Sequence, residues 1–273
     1  MTERVDEAPA AAAAPDSPLD GTFARLRART PFVDGRVARI AAPPDLDLEA
    51  LLAGVGAARA TGDARVRAML GLHGSVFYRV MPALGAFLEE RRVPCLDPAH
   101  TGVDWDGGDT PGRLTACGAF TALPDDPAAD RANRLVTDAE ALNDTLHGVL
   151  VEAVTPLVDA LARHGPLRER VLWLSASDTI AGGLLWLGEL LGREERSALA
   201  AERLIRRPGS PLASPRAEVR TYRCDGVSRT VHLRASCCLS WRLDGGTWCS
   251  TCPVLDEPAR ERLILDGIRV AGA

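Results

Sequence analysis

Through the first two thirds of the chain, apolar residues recur every three or four positions, the period of helices buried on one face. Leu46 to Arg59 and Ala64 to Leu72 fit it. Val76 to Arg92 fits it through Phe77, Val80, Met81, Leu84, Phe87 and Leu88, with Pro82 marking a kink or a helix start. From Val93 to Leu123 the period is lost: the segment 104–109 is rich in turn residues and Arg113 to Leu123 alternates like a short strand, so a hairpin is expected. Thr137 and Glu140 fit a capping box opening a helix that runs to His164, with Pro156 inside it as a kink. Arg168 to Leu191 is the most apolar helix, and Arg193 to Arg207 is a charged one with Leu199, Leu204 and Ile205 as its apolar positions. Beyond Pro208 the period shortens to two. Glu218 to Arg223 and Ser228 to Arg234 read as strands, the second turning Val231 and Leu233 inward and Thr230, His232 and Arg234 outward.

These elements predict a mainly α protein with smaller β elements, of α+β class. Residues 1–20 are Ala, Pro and acidic, and are expected to be a disordered tail. Residues 21–207 form a mainly helical domain, 208–215 a linker with three prolines and two serines, and 216–273 a small C-terminal module with a β-hairpin.

Composition narrows the function. With 4% aromatic residues and a net charge of -5, the chain lacks the stacking surface and basic character of a nucleic-acid binder, and no nucleic acid is expected as a partner. The acidic N-terminus lacks the basic start and apolar run of a signal peptide. The apolar stretch Val171 to Leu191 carries Asp178, Glu189 and three glycines, so it reads as a buried helix and no transmembrane segment is expected. The expected location is the cytoplasm, with a place near the inner face of the membrane also considered. All 32 basic residues are arginine, so a single arginine carries little information.

The cysteines carry the most. Four of seven fall within sixteen positions: Cys237 and Cys238 side by side, then Cys249 and Cys252. In a reducing compartment such a cluster points to metal over disulfide. Tetrahedral zinc usually takes two CxxC turns, whereas here one half is an adjacent pair. Adjacent side chains on an extended strand face opposite ways, so the pair shares a centre only where the backbone turns or the centre is wide. A 2Fe-2S cluster takes two thiolates on each iron and relaxes that constraint. The spacing leans toward the cluster and leaves zinc and a redox-active dithiol open.

The segment from Arg234 through Ser236, Cys237, Cys238, Trp241 and Arg242, followed by Cys249-Ser-Thr-Cys-Pro253, resembles the C-terminal motif of the FhuF-type ferric siderophore reductases, CC-x10-CxxC. The resemblance implies a 2Fe-2S cluster held by four cysteines, Cys237, Cys238, Cys249 and Cys252, in the C-terminal module. It implies an oxidoreductase that reduces a ferric siderophore, of hydroxamate type, by one electron and releases Fe(II) for iron assimilation. It implies an electron donor such as a ferredoxin, a flavodoxin or a flavin reductase, and a siderophore-binding role for the helical domain. Arg234, Ser236, Trp241, Arg242, Trp248 and Pro253 become candidates for contacts around the cluster or with substrate. Salt bridges from Arg234 or Arg242 to Asp244 or Asp256 are the structural alternative.

Between Arg203 and Arg242 nine arginines face only Glu218 and Asp225, and Arg220, Arg223 and Arg229 are the expected docking face for an acidic donor. Cys95, Cys117 and Cys224 read as ordinary thiols, Asp104, Asp106 and Asp109 as a turn, and the other histidines receive no role. Two other functions compete: a non-catalytic zinc module in siderophore assembly or transport, and an iron-sulfur redox sensor, for which no DNA-reading helix-turn-helix is evident.

Overall fold

The computed structural model describes residues 17–38 and 46–272. The expected tail therefore lies mostly outside the described residues, but its last positions are helical. Ser17 caps α1 (Pro18–Arg29) by accepting from the Leu19 amide, and Pro18 supplies the fixed φ suited to a first helical position. β1 (Asp34–Val37) and α2 (Leu48–Ala58) follow.

The two helices expected over 64–92 are one, α3 (Ala64–Glu90), with Pro82 inside it. Its Gly74 is no break, because the indole of Trp105 lies directly against the helix there and a β-carbon would collide with it. The segment that follows forms β2 (Val93–Pro94), β3 (Gly102–Asp104), β4 (Arg113–Ala116), β5 (Phe120–Ala122) and β6 (Arg134–Leu135). The single alternating strand expected over 113–123 is thus two. Gly118, at φ 87°, turns the chain between them. β4 joins the sheet β1-β4-β3, pairing with β3 as the expected hairpin, while β5 joins β2-β5-β6.

α4 (Ala139–His164) is capped by Asp138, which accepts from the Ala141 amide, in place of the expected Thr137; Thr137 instead donates to Asp138. α5 (Glu169–Leu191) packs on α3, α4 and α6 (Glu194–Arg206). Met81, Leu84, Leu150, Leu172, Ile180 and Leu184 lie in one continuous core, each at 1% exposure or less. Each such side chain contributes about 2 kcal/mol of burial. Leu199, expected inside, is half exposed. By length and composition α4 and α5 could each cross a membrane, but 72% of the apolar stretch of α5 is buried within the protein.

Residues 208–215 are packed, not extended. Leu212 and Ser214 are fully buried, the Ser214 amide donates to Ile205, and Arg170 donates to the carbonyls of Pro211 and Ala213. Beyond them β7 (Glu218–Cys224) pairs antiparallel with β8 (Val227–Leu233). Asp225 and Gly226, both at positive φ, form the two-residue turn that suits the twist of the pair. A helix absent from the sequence reading, α7 (Glu257–Gly272), lays Ile264 and Ile268 against Tyr222 and Leu233 in a second, smaller core.

Candidate metal centre

β8 runs along α5 and delivers the chain into the cysteine loop. The anchor is Asp178, whose side chain is fully buried on α5. Its Oδ1 accepts from His232 Nε2 at 2.8 Å and the Ala235 amide at 3.1 Å. Its Oδ2 accepts from the Ser236 amide at 2.8 Å and the Ser236 hydroxyl at 2.6 Å. Burial pushes this carboxyl up, but the bonds from His232 and Ser236 and the nearby Arg234 charge outweigh it and hold Asp178 below the usual carboxylate range. His232, expected to face out, is buried because Asp178 takes its ring nitrogen inward.

Arg234 reaches the other way. Its Nη2 donates to His73 Nε2 on α3 at 2.9 Å, and Ser175 Oγ lies 2.6 Å from the same nitrogen. An arginine only donates, so His73 accepts through Nε2 and is neutral with its proton on Nδ1. Burial first, and the Arg234 charge second, lower its pKa to about 3.

The four cysteines gather beyond this anchor. Cys252 is buried and the other three half-buried. After the adjacent pair the backbone turns through Leu239, in the left-handed region at φ 62°, into a 3₁₀ turn over Ser240–Arg242. The Leu239 amide donates to Cys237 Sγ at 3.4 Å and the Ser240 hydroxyl to Cys238 Sγ at 3.2 Å. Cys238 neighbours Cys249, and Cys237 neighbours Cys252, closely enough that each shifts its neighbour's titration. The interaction with Cys249 chiefly lowers the Cys238 pKa to about 4 against the effect of burial, with Ser240 and Arg234 adding; the same interaction raises Cys249. Among the described residues no three His, Cys, Asp or Glu side chains converge to hold one metal ion. An all-sulfur donor set standing as two couples suits a two-iron centre better than a single tetrahedral ion.

The remaining candidates divide. Trp241 and Trp248 stack on one another, centroids 4.5 Å apart, with about two fifths of each exposed. Arg242 pairs with Asp63 at the start of α3, at 2.9 Å, and not with Asp244 or Asp256. Pro253 sits in the turn that the Leu255 amide closes onto the Cys252 carbonyl. Of the docking arginines, Arg220 is tied to Glu218 and Glu257 and Arg229 to Glu189, while Arg223 stands exposed. Cys95 and Cys117 are free thiols, as expected, and lie close enough that their interaction raises the Cys95 pKa and lowers that of Cys117 to about 6.

Beside the anchor, on the α3 side, lies a cavity of about 330 Å³ whose lining includes His73, Phe77, Tyr78, Trp105, Arg59 and Asp109. Tyr78 packs against Trp105 with centroids 5.3 Å apart, and the indole nitrogen donates to the Gly108 carbonyl at 3.1 Å. Sequence reasoning makes 104–109 a turn and gives His73, Ser175 and Asp178 no role. One signal is legible: Asp178 lies deep in a long apolar run, where an ionisable group needs partners.

Residues 79–226 match the family described as ferric iron reductase FhuF-like transporter, and residues 234–253 match the FhuF 2Fe-2S C-terminal domain. The first match alone spans more than half of the 273 residues, and the chain belongs to this family. The likeness carried by the cysteine motif thus extends through the helical body. The cofactor is a 2Fe-2S cluster, and the chain is a ferric siderophore reductase-like iron-sulfur protein. No curated protein and no solved structure matches it.

Proposed function

We propose that the protein is a ferric siderophore reductase in which Cys237, Cys238, Cys249 and Cys252 hold the cluster. The observation that carries this is a loop that bears all four thiols, lies within the stretch matching the FhuF 2Fe-2S domain and is anchored to α5 through Asp178. When bound, a 2Fe-2S cluster supplies one-electron chemistry. The chain's own part is to hold and tune it. Asp178 fixes residues 232–236, the Leu239 amide and Ser240 hydroxyl donate to sulfur, and Arg234 places a positive charge near Cys238 and Cys249. Donors and positive charge beside a reduced, more negative centre favour its reduction.

The substrate is a ferric chelate that gains one electron. Hard oxygen ligands hold Fe(II) far more weakly than Fe(III), so reduction is the release step. We assign a hydroxamate type, because a trianionic catecholate complex would approach a chain of net charge -5. The donor is an acidic one-electron protein such as a ferredoxin or flavodoxin, or a flavin reductase, and Arg223 is the exposed cation of the expected docking face without an ion-pair partner among the described residues. The burial of α5 argues against its spanning a membrane, and we place the protein in the cytoplasm, where clustered thiols stay reduced; proximity to the membrane finds no support in the fold.

The test is metal content followed by turnover. Anaerobically purified protein should carry about two irons and two sulfides per chain, and its reduced form should be reoxidised by ferric hydroxamates in stopped flow. Stoichiometric zinc in a colourless sample, or no reoxidation by any ferric siderophore, defeats the reading.

A further inference from the structure

We propose that the aromatic cavity beside His73 is where the ferric chelate sits, one face of it against the rings of Tyr78 and Trp105. This rests on the reductase reading and adds a place to it.

Three observations converge. The first is position. His73 lines the cavity, and its Nε2 takes a hydrogen bond from Arg234, which stands three residues before Cys237 and whose amide donates to the carbonyl of Thr251, the neighbour of Cys252. Arg234 thus ties the cavity wall to the cysteine loop, and a chelate seated there lies on the side from which the electron would come.

The second is construction. The ring wall is held in place by the chain around it. Trp105 lies on α3 where Gly74 leaves room, it is tied to the Gly108 carbonyl, and Gly112 lets the Tyr78 ring and the Trp105 β-carbon approach the backbone. Gly107 makes the intervening turn at φ 85°. This arrangement keeps flat, weakly polar faces directed at the cavity, while Phe32 on the rim is about half exposed. Such faces pack against the planar, delocalised arms of an iron chelate.

The third is charge. Among the lining side chains Arg59 and Asp109 pair at 3.1 Å and His73 is neutral, so the lining carries no net charge. It offers nothing to balance a trianion and disfavours no near-neutral complex. A volume of about 330 Å³ is at the small end for ligand sites and takes one arm of a chelate, leaving the rest in solvent.

The experiment uses the holoprotein and the gallium(III) complex of a linear trihydroxamate, which has the shape and charge of the ferric complex but takes no electron. Binding is measured by calorimetry for the wild type, for Leu70→Trp, which fills the cavity, and for Tyr78→Leu, which removes one ring. The cluster's visible absorption reports that each variant is intact. We expect at least tenfold weaker binding in Leu70→Trp and a threefold or greater loss in Tyr78→Leu. Wild-type affinity in both, or no binding by the wild type at millimolar complex, overturns the site. In parallel, stopped-flow oxidation of reduced wild type by the ferric complex tests the reductase reading by itself. If oxidation is absent while the gallium complex still binds and Leu70→Trp still weakens it, the reductase reading fails and the site stands.

Discussion

Asp178 Oδ2 accepts both the amide and the hydroxyl of Ser236, at 2.8 and 2.6 Å, and so joins the middle of α5 to the residue preceding the cysteine pair. In Asp178→Asn one of these donors, or His232, would face an NH₂ group instead of an acceptor. Leaving buried donors unpaired, together with loss of the charge that Arg234 and His232 face, should cost about 3 kcal/mol. We expect denaturant unfolding to shift by that amount and cluster iron to be lost to a chelator at least tenfold faster. An unchanged release rate would show that the loop is held some other way.

His73 gives a pH dependence whose sign is fixed. Its folded pKa is about 3, below the usual 6.5, so between those values the unfolded chain binds the extra proton. Stability should therefore rise with pH from about 3 to 6.5 and gain nothing further from this group above that. In His73→Leu the slope of apoprotein stability against pH should flatten over that window. Identical slopes in the two proteins would mean that His73 is protonated in the fold.

Cys238→Ser should reduce iron from about two atoms per chain to less than a tenth of that. The helical signal in circular dichroism should stay within a few per cent, because the core of α3, α4 and α5 contains none of the four cysteines. A variant retaining a full cluster would remove Cys238 from the ligand set.

Gly74→Ala sets two effects against each other. Helix propensity favours alanine by about 1 kcal/mol, but the new β-carbon would collide with the Trp105 ring. Overpacking of this kind costs about 1–3 kcal/mol. The clash should prevail, lowering the melting temperature and displacing Trp105, read as a change in tryptophan fluorescence. A stabilised variant with an unchanged spectrum would contradict the packing.

Arg223→Glu should slow reduction by an acidic donor about fivefold at low salt and reduce the salt dependence of that rate, as expected for a steering cation. Arg220→Gln should have a smaller effect on rate, since Glu218 and Glu257 already engage that side chain. Equal effects, or none, would place the donor elsewhere.

The helices with strong apolar periods, such as 169–191 and 194–206, are legible in the sequence within a residue or two, as is the hairpin carrying Asp225-Gly226. The break expected before Val76 is absent because Trp105, some thirty residues on, fills the space a glycine leaves. His232 faces inward against its strand period because alternation knows nothing of an aspartate 54 residues earlier. The cysteine motif is readable because it is local. The Asp178 anchor and the cavity are not, because each is assembled from segments far apart along the chain, and no period or spacing encodes that meeting.

The Asp178 anchor also imposes an order on synthesis. As the chain emerges, α3, α4 and α5 can begin to pack long before residue 232 exists, but the carboxylate at the centre of α5 then has no donors. A buried anion without partners resists completion of the core around it. Residues 232–236 supply those donors, so completion of the helical core and ordering of the cysteine loop should be energetically coupled.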